Sequence, residues 1–299
     1  VTYAMCLVAF AIVFFMQSNQ FMEKAVEISE GSLSPTIKWK RLEDQIFKIP
    51  NLLKQEKLVR IFNSIKINRD SITNGINASE NLKFSILNEI LLEGLHKTPM
   101  SEFKKTNFGY APKHWSELLV GNLTTEHKQG FYTKEQYSQE GCYLVRISDL
   151  DNPKVSFKEM PKVKVNEEII EQFKVEKGDF LFARSGTIGR YGIYESDETA
   201  IFASYLIRFR FDSTKILTKY FGYFYESNLC ARQLKGIAQQ GSNVNINADN
   251  IKKLKIILPP LKEQLEIVER LETLDQILSE LKKKLTLNQK IFMNLFNFE

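Results

Sequence analysis

Two short stretches of the sequence concentrate side chains able to hold a polyanion and to read it. The first, Ala183-Arg184-Ser185-Gly186-Thr187-Ile188-Gly189-Arg190-Tyr191, combines two arginines and two hydroxyls with two glycines that let another backbone approach closely. The second, Gln239-Gln240-Gly241-Ser242-Asn243-Val244-Asn245, carries four carboxamides in seven residues. Guanidinium groups, hydroxyls and backbone amides hold phosphate oxygens, whereas forked and carboxamide side chains match the donor and acceptor edges of bases. By residue type, the candidates for contact with a nucleic acid are Arg184, Ser185, Thr187, Arg190 and Tyr191 in the first stretch. Gln239, Gln240, Ser242, Asn243 and Asn245 are those of the second, joined from elsewhere by Lys128, Lys134, Arg146 and Ser148. Plainer readings stay open: Gly186 and Gly189 can simply shape a hairpin, Arg184 can be structural, and the amide-rich stretch can be a solvated turn. No Lys-Ser/Thr follows the glycines at the spacing of a nucleotide-phosphate loop.

Covalent chemistry finds no comparable support. There is no Asp/Asn/Ser-Pro-Pro-Tyr/Phe tetrapeptide to hold a target amine, no glycine-rich methyl-donor loop after a strand, no HExxH and no Gly-x-Ser-x-Gly. Asp149, Asp151 and Glu176 have no spacing that singles them out as a metal-binding nuclease cluster. Cys6, Cys142 and Cys230 form no CxxC pair and no zinc set with His96, His114 and His127, so no metal is expected and a reducing cytoplasm is the simplest setting. A net charge of +5 with 26% charged residues suits a folded protein that tolerates a polyanionic partner. The sequence therefore points to binding rather than catalysis. A coiled-coil interaction protein with no nucleic-acid role is the alternative; the polar loops, which such a scaffold would not need, argue against it.

The elements that must position these loops are organised by an internal repeat. Phe15-Met16-Gln17-Ser18-Asn19 reappears as Phe224-Tyr225-Glu226-Ser227-Asn228, an offset of 209 positions. At the same offset Ile37 meets Ile246, Leu42 meets Ile251, Pro50 meets Pro259 and Gln55 meets Gln264. The repeated unit reads as apolar helix, polar loop, short strand, proline and long helix. In the second long helix, Ile267, Leu271, Leu274, Leu278, Leu281, Leu285, Asn288, Phe292 and Leu295 step alternately by 4 and 3. That is a coiled-coil seam with a single polar residue, which favours register over stability; a helix merely lying on a globular domain rarely keeps so strict a period. The first helix places Leu58, Phe62, Ile65, Ile72, Ile76 and Ile86 on its seam, but Arg69, Ser79 and Lys83 interrupt it, and Asn74-Gly75 predicts a local break. Between the helices, 143–147, 180–183 and 203–209 predict strands, and 217–234 a helix. Trp39 and Trp115 read as core. The apolar run Ala4–Met16 is shorter than the roughly 20 residues of a membrane span and lacks a basic flank, so it reads as a buried helix.

Three motifs in this order resemble the specificity subunits of type I restriction-modification systems. Gly109-Tyr110-Ala111-Pro112-Lys113-His114-Trp115 is similar to the entry of a target recognition domain, and Gly178-Asp179-Phe180-Leu181-Phe182-Ala183-Arg184-Ser185-Gly186-Thr187-Ile188-Gly189 to that domain's glycine–aspartate run. Leu258-Pro259-Pro260-Leu261-Lys262-Glu263-Gln264 is similar to the opening of the family's helical region. The resemblance implies an α/β (α+β) target recognition domain flanked by two long helices forming an antiparallel coiled coil. It divides the chain into a remnant of a first recognition domain (1–45), a first helical region (46–106), a recognition domain (107–258) and a second helical region (259–299). It implies double-stranded DNA, modification subunits and a restriction subunit as partners, with S-adenosylmethionine bound by the modification subunit and no cofactor on this chain. With only a stub of a first recognition domain, the chain is expected to be a fragment, a disrupted product or a half-length subunit that pairs with a second copy.

Overall fold

The structure, a computed structural model, describes residues 12–13, 15–31, 34–47, 51–95, 99–133, 136–184, 189–238 and 246–295. It forms two compact units, residues 1–81 with 274–299 and residues 82–273. Helices α1 (Asn19–Glu27), α2 (Trp39–Glu43) and α3 (Leu52–Glu93) come first. Strands β1 (Phe103–Thr106), β2 (Gly109–Pro112), β3 (Ser116–Leu119), β4 (Thr124–Gln129), β5 (Cys142–Val145), β6 (Leu150–Asp151), β7 (Lys154–Val155) and β8 (Lys162–Val163) lead to α4 (Glu167–Phe173). Then follow β9 (Phe180–Ala183), β10 (Tyr191–Ile193), β11 (Ala200–Phe202), β12 (Leu206–Phe211), α5 (Thr218–Glu226), α6 (Asn228–Ala238), α7 (Ala248–Lys252), β13 (Lys255–Leu258) and α8 (Leu261–Leu295). The expected combination of a mixed α/β body and two long helices is what the chain adopts.

In the unit of residues 82–273, a six-stranded sheet runs β4-β12-β9-β10-β7-β6 and a three-stranded sheet β11-β5-β8. All four residues of β9 are buried, as expected of a central strand covered on both faces. Its Phe180 anchors an aromatic cluster, 5.0 Å from the Tyr191 ring and 4.8 Å from Phe221 on α5. Gly222 leaves the room this requires, since a Cβ there would stand 3.0 Å from the Tyr191 ring. The second sheet packs its own aliphatic core of Leu144, Val163 and Ile201 around Cys142.

Two expected elements differ from their reading. The strand read over 203–209 begins only at Leu206, because residues 203–205 form a turn in which Leu206 N–H donates to Ala203 O (2.9 Å) and which separates β12 from β11 in the other sheet. The helix read over 217–234 breaks at Ser227, which is fully buried and whose Oγ accepts from Cys230 N–H (3.3 Å) to cap α6. The predicted break at Asn74-Gly75 is absent and α3 runs through it. One glycine costs only about 1 kcal/mol in a helix already nucleated on both sides, and Gly75 faces Leu281 with space to spare. Trp39 is also corrected: it is 72% exposed at the start of α2, a five-residue helix with no buried residue.

The 209-residue offset recurs in the architecture. α1 and α6 begin at Asn19 and Asn228, α2 and α7 span 39–43 and 248–252, and α3 and α8 begin at 52 and 261. Ser18 Oγ accepts from Phe21 N–H (3.2 Å) as Ser227 Oγ does from Cys230. The two copies thus keep the same helix starts and the same serine cap. Of the apolar run 4–16, only residues 12, 13, 15 and 16 are described, and Ile12, Val13 and Met16 are about half exposed. No described helix is long and apolar enough to cross a membrane.

In the unit of residues 1–81 and 274–299, α3 and α8 run antiparallel. Phe62 meets Phe292 (5.5 Å between rings), Ile65 meets Asn288, and Glu80 pairs with Lys282 (3.0 Å). Every heptad residue of α8, from Ile267 through Leu271, Leu274, Leu278, Leu281, Leu285, Asn288 and Phe292 to Leu295, is buried or half-buried. On α3, Val59 and Phe62 are buried with Leu58 packed against them, and Ile65, Arg69, Ile72 and Ser79 are half-buried on the same face. Asn288 is 6% exposed; its amide donates to Ile65 O (3.2 Å) while Oδ1 is buried without a donor. An unsatisfied buried acceptor costs about 1–3 kcal/mol. Asn288→Leu is therefore expected to raise the helix pair's denaturation midpoint, by roughly 1 kcal/mol after the lost amide bond is set against it. A chemical denaturation series on the full chain measures this, and a lowered midpoint would show that the amide bond outweighs the orphaned oxygen.

Candidate nucleic-acid interface

The three motif segments supply joints of the unit of residues 82–273. At the first and third, Trp115 is 1% exposed, its Nε1–H donates to Glu263 (2.8 Å), and His114 Nε2 meets the other Glu263 oxygen (2.8 Å). Gln264, fully buried beside it, accepts from Leu217 N–H (2.8 Å) and donates to Lys215 O and Pro259 O. The start of α8 is thereby bonded to the start of the body 148 positions earlier in the chain. At the second motif, Asp179 is 2% exposed and accepts from Glu176 N–H (2.8 Å) and from the Arg210 guanidinium (2.7 and 3.2 Å), with Arg208 Nε 3.8 Å away. Arg208, also 2% exposed, donates to Lys174 O and Glu126 and lies over the Phe202 ring. The Asp179 hydrogen bonds push the Arg210 guanidinium further above its usual range. This is a buried ion network, in which each charge is tolerable because the others are there.

The candidate readers divide into three groups. Lys134, Ser185, Thr187, Gln239, Gln240, Ser242, Asn243 and Asn245 lie outside the described residues. Several others are engaged in holding the fold. Arg146 donates to Asp149 through backbone and guanidinium (2.8–3.0 Å) and to Glu159 O (2.7 Å). Lys128 donates to Gln172 O (2.8 Å) over the Phe173 ring, and Arg190 Nε donates to Leu150 O (3.0 Å). Tyr191 is a correction: it is fully buried in the aromatic cluster with its hydroxyl on Glu226 (2.8 Å), so it cannot touch a nucleic acid. It was read as part of the polar loop because it follows Arg190, but it is the first residue of β10.

Arg184 and Ser148 make up the third group. Ser148 is exposed. Arg184 is half-buried, and its guanidinium pairs with no described residue, while its backbone is bonded on both sides. Its N–H donates to Tyr205 O (3.0 Å) and its carbonyl accepts from Ile246 N–H (3.0 Å). The start of the first polar stretch is thus tied directly to the residue that follows the second, although 62 positions separate Arg184 from Ile246. A guanidinium with no partner among the described residues suits a phosphate or a guanine edge. Cys142 and Cys230 are buried, and burial pushes both thiols up, which makes them inert packing residues.

Residues 112–291, more than half of the chain, match the type I restriction modification DNA specificity domain. A putative type I restriction enzyme specificity subunit of Haemophilus influenzae is 34% identical over 133 residues, covering 42% of this chain and 33% of its own. The StySPI specificity subunit of Salmonella potsdam is 23% identical over 302 residues, covering 96% and 65%, and the EcoKI specificity subunit of Escherichia coli K12 is 25% identical over 272 residues, covering 88% and 58%. The chain thus spans between one third and two thirds of the length of these relatives. Among solved structures, a chain of a type I R-M system assembly superposes with a TM-score of 0.62, over 96% of this chain and 69% of that one. The S subunit of a type I restriction-modification system from M. genitalium gives 0.59, over 96% and 71%. At 14% identity each, these are likenesses of fold. With the family match covering more than half of it, the chain belongs to the type I restriction-modification DNA specificity family.

Proposed function

We propose that this chain is the sequence-reading, non-catalytic specificity component of a type I restriction-modification complex, acting in the cytoplasm. In this reading residues 107–258 read one half of a bipartite target in double-stranded DNA. The helical regions 46–106 and 259–299 dock the modification subunits, and residues 1–45 belong to a first recognition domain. The modification subunit binds S-adenosylmethionine and transfers the methyl group, and the restriction subunit cleaves. The observation that supports the reading is Arg184, whose guanidinium pairs with no described residue and whose backbone carbonyl is bonded to Ile246, just past the second polar stretch. Phosphate contact by such groups would make binding fall steeply with salt.

The test is single-molecule methylation mapping in cells that supply a cognate modification subunit, with and without this chain. A new bipartite adenine-methylated motif is expected only when the chain is present, and a symmetric motif would identify a self-paired half-subunit. Unchanged methylation with soluble protein would leave a coiled-coil interaction protein without reading activity.

A further inference from the structure

Three tyrosines stand out on the connections of the recognition body: Tyr132, Tyr137 and Tyr205 are 66%, 62% and 61% exposed. Tyr137 is partly accounted for, lying under the Arg146 guanidinium. Tyr205 is not. It occupies the turn that separates β11 from β12, where hydrogen bonds hold its backbone while its ring stays exposed. Leu206 N–H closes the turn onto Ala203 O (2.9 Å), Arg184 N–H holds Tyr205 O (3.0 Å), and the Gln129 amide donates to Ser204 O (3.3 Å).

Gly130 adds a further restraint. A Cβ at that position would lie 2.2 Å from Ala203 O, so the 130–131 and 202–203 backbones are in direct contact. Phe131 N–H donates to Phe202 O (2.7 Å) and pairs with Ala203, which delivers Tyr132 to the same edge. Two exposed phenol rings thus stand on a hydrogen-bonded backbone, one of them bonded through its own carbonyl to Arg184, whose guanidinium pairs with no described residue.

A large aromatic ring left in water on a rigid turn marks a contact surface, and tyrosine suits one that is apolar on its face and wet at its edge. The adjoining Arg184 selects an anionic partner, and duplex DNA sets its phosphates beside the apolar surface of deoxyribose and the base edges of its grooves. We infer that Tyr205, with Tyr132 beside it, is a DNA-contacting residue of the recognition domain. The rings pack on deoxyribose and base while Arg184 holds the neighbouring phosphate or guanine edge. This rests on the DNA-reading function proposed above and assigns it residues that carry no formal charge.

The experiment uses the full chain assembled with modification subunits, and the duplex whose motif methylation mapping supplies. Tyr205→Ala is expected to weaken target binding roughly 5- to 30-fold, for the loss of about 1–2 kcal/mol on truncating a contacting aromatic. The salt dependence should keep its slope because no charge is removed, whereas Arg184→Gln should reduce that slope by about one counterion. Tyr205→Phe, which keeps the ring, should bind within about threefold of wild type, because the apolar contact is retained. Photocrosslinking to a bromodeoxyuridine-substituted duplex, read by peptide mass spectrometry, gives a second measurement independent of any variant's folding; adducts are expected on Tyr205 or Tyr132. Wild-type affinity in Tyr205→Ala, or crosslinks confined to peptides lacking both tyrosines, would overturn the assignment. A wild-type complex that binds no duplex would instead overturn the DNA-reading function itself, so the two failures are distinct.

Discussion

Asp179→Ala is expected to destabilise the unit of residues 82–273 by about 3–5 kcal/mol, the cost of removing one partner from a buried ion pair. The size follows from what remains behind. Arg208 is buried to 2% and its Nε already lacks a hydrogen bond, so the variant strands a guanidinium with only Glu126 and a backbone carbonyl for company. The same change removes the carboxylate that accepts from Glu176 N–H and aligns the turn into β9. Against a typical total of about 5–15 kcal/mol, this is a large fraction. Asp179→Asn, which keeps the turn bond but not the charge, should fall between the variant and wild type. Urea denaturation followed by far-ultraviolet circular dichroism measures the effect, and a loss under 1 kcal/mol would show that the arginines find other partners.

Trp115→Ala is expected to cost about 3–5 kcal/mol, the range for emptying a buried aromatic site, and to detach more than a side chain. The indole fills the space against Gly94, where a Cβ would stand 3.1 Å from the ring, and its N–H holds Glu263 in the first turn of α8. Trp115→Phe retains most of the volume and loses the hydrogen bond, so it should cost roughly 1–2 kcal/mol. Hydrogen exchange gives the site-resolved measurement. Faster exchange at the start of α8 in Trp115→Ala is expected, and unchanged protection there would mean that Gln264 alone anchors the helix.

What was legible in the sequence was what is local. The heptad of α8 can be read because period 3.5 is written in consecutive residues, and the 209-residue repeat because the two copies share their helix starts. The motifs could be recognised as motifs, but not what they do. Asp179 finds Arg208 and Arg210 some thirty positions on, and Trp115 finds Glu263 across 148. Three segments with the look of a binding signature turn out to contain the bonds that hold the frame, with Arg184 at the boundary between frame and reader. Tyr191 and Tyr205 exchange their expected places for a related reason. A tyrosine after an arginine resembles a loop contact, and a tyrosine inside an apolar alternation resembles a strand. The signal that could have separated them is the Ser204-Tyr205 pair, two polar residues interrupting the apolar run of 200–209. Trp39 was read as core from residue type alone, which says nothing of the surface offered to it.

The burial of the Asp179–Arg208 network has a practical consequence at the bench. Mobile ions weaken interactions between groups they can surround, and a pair excluded from water is screened far less. Contacts to DNA phosphates face the opposite situation, since each is made by displacing a counterion that added salt supplies again. On the DNA-reading function proposed above, concentrated salt should therefore strip nucleic acid from this protein while the unit of residues 82–273 stays intact, and dilution should restore binding without a refolding step. A purification through molar sodium chloride is then a clean way to obtain the chain free of carried-over DNA, and a salt titration becomes a measurement of the interface alone.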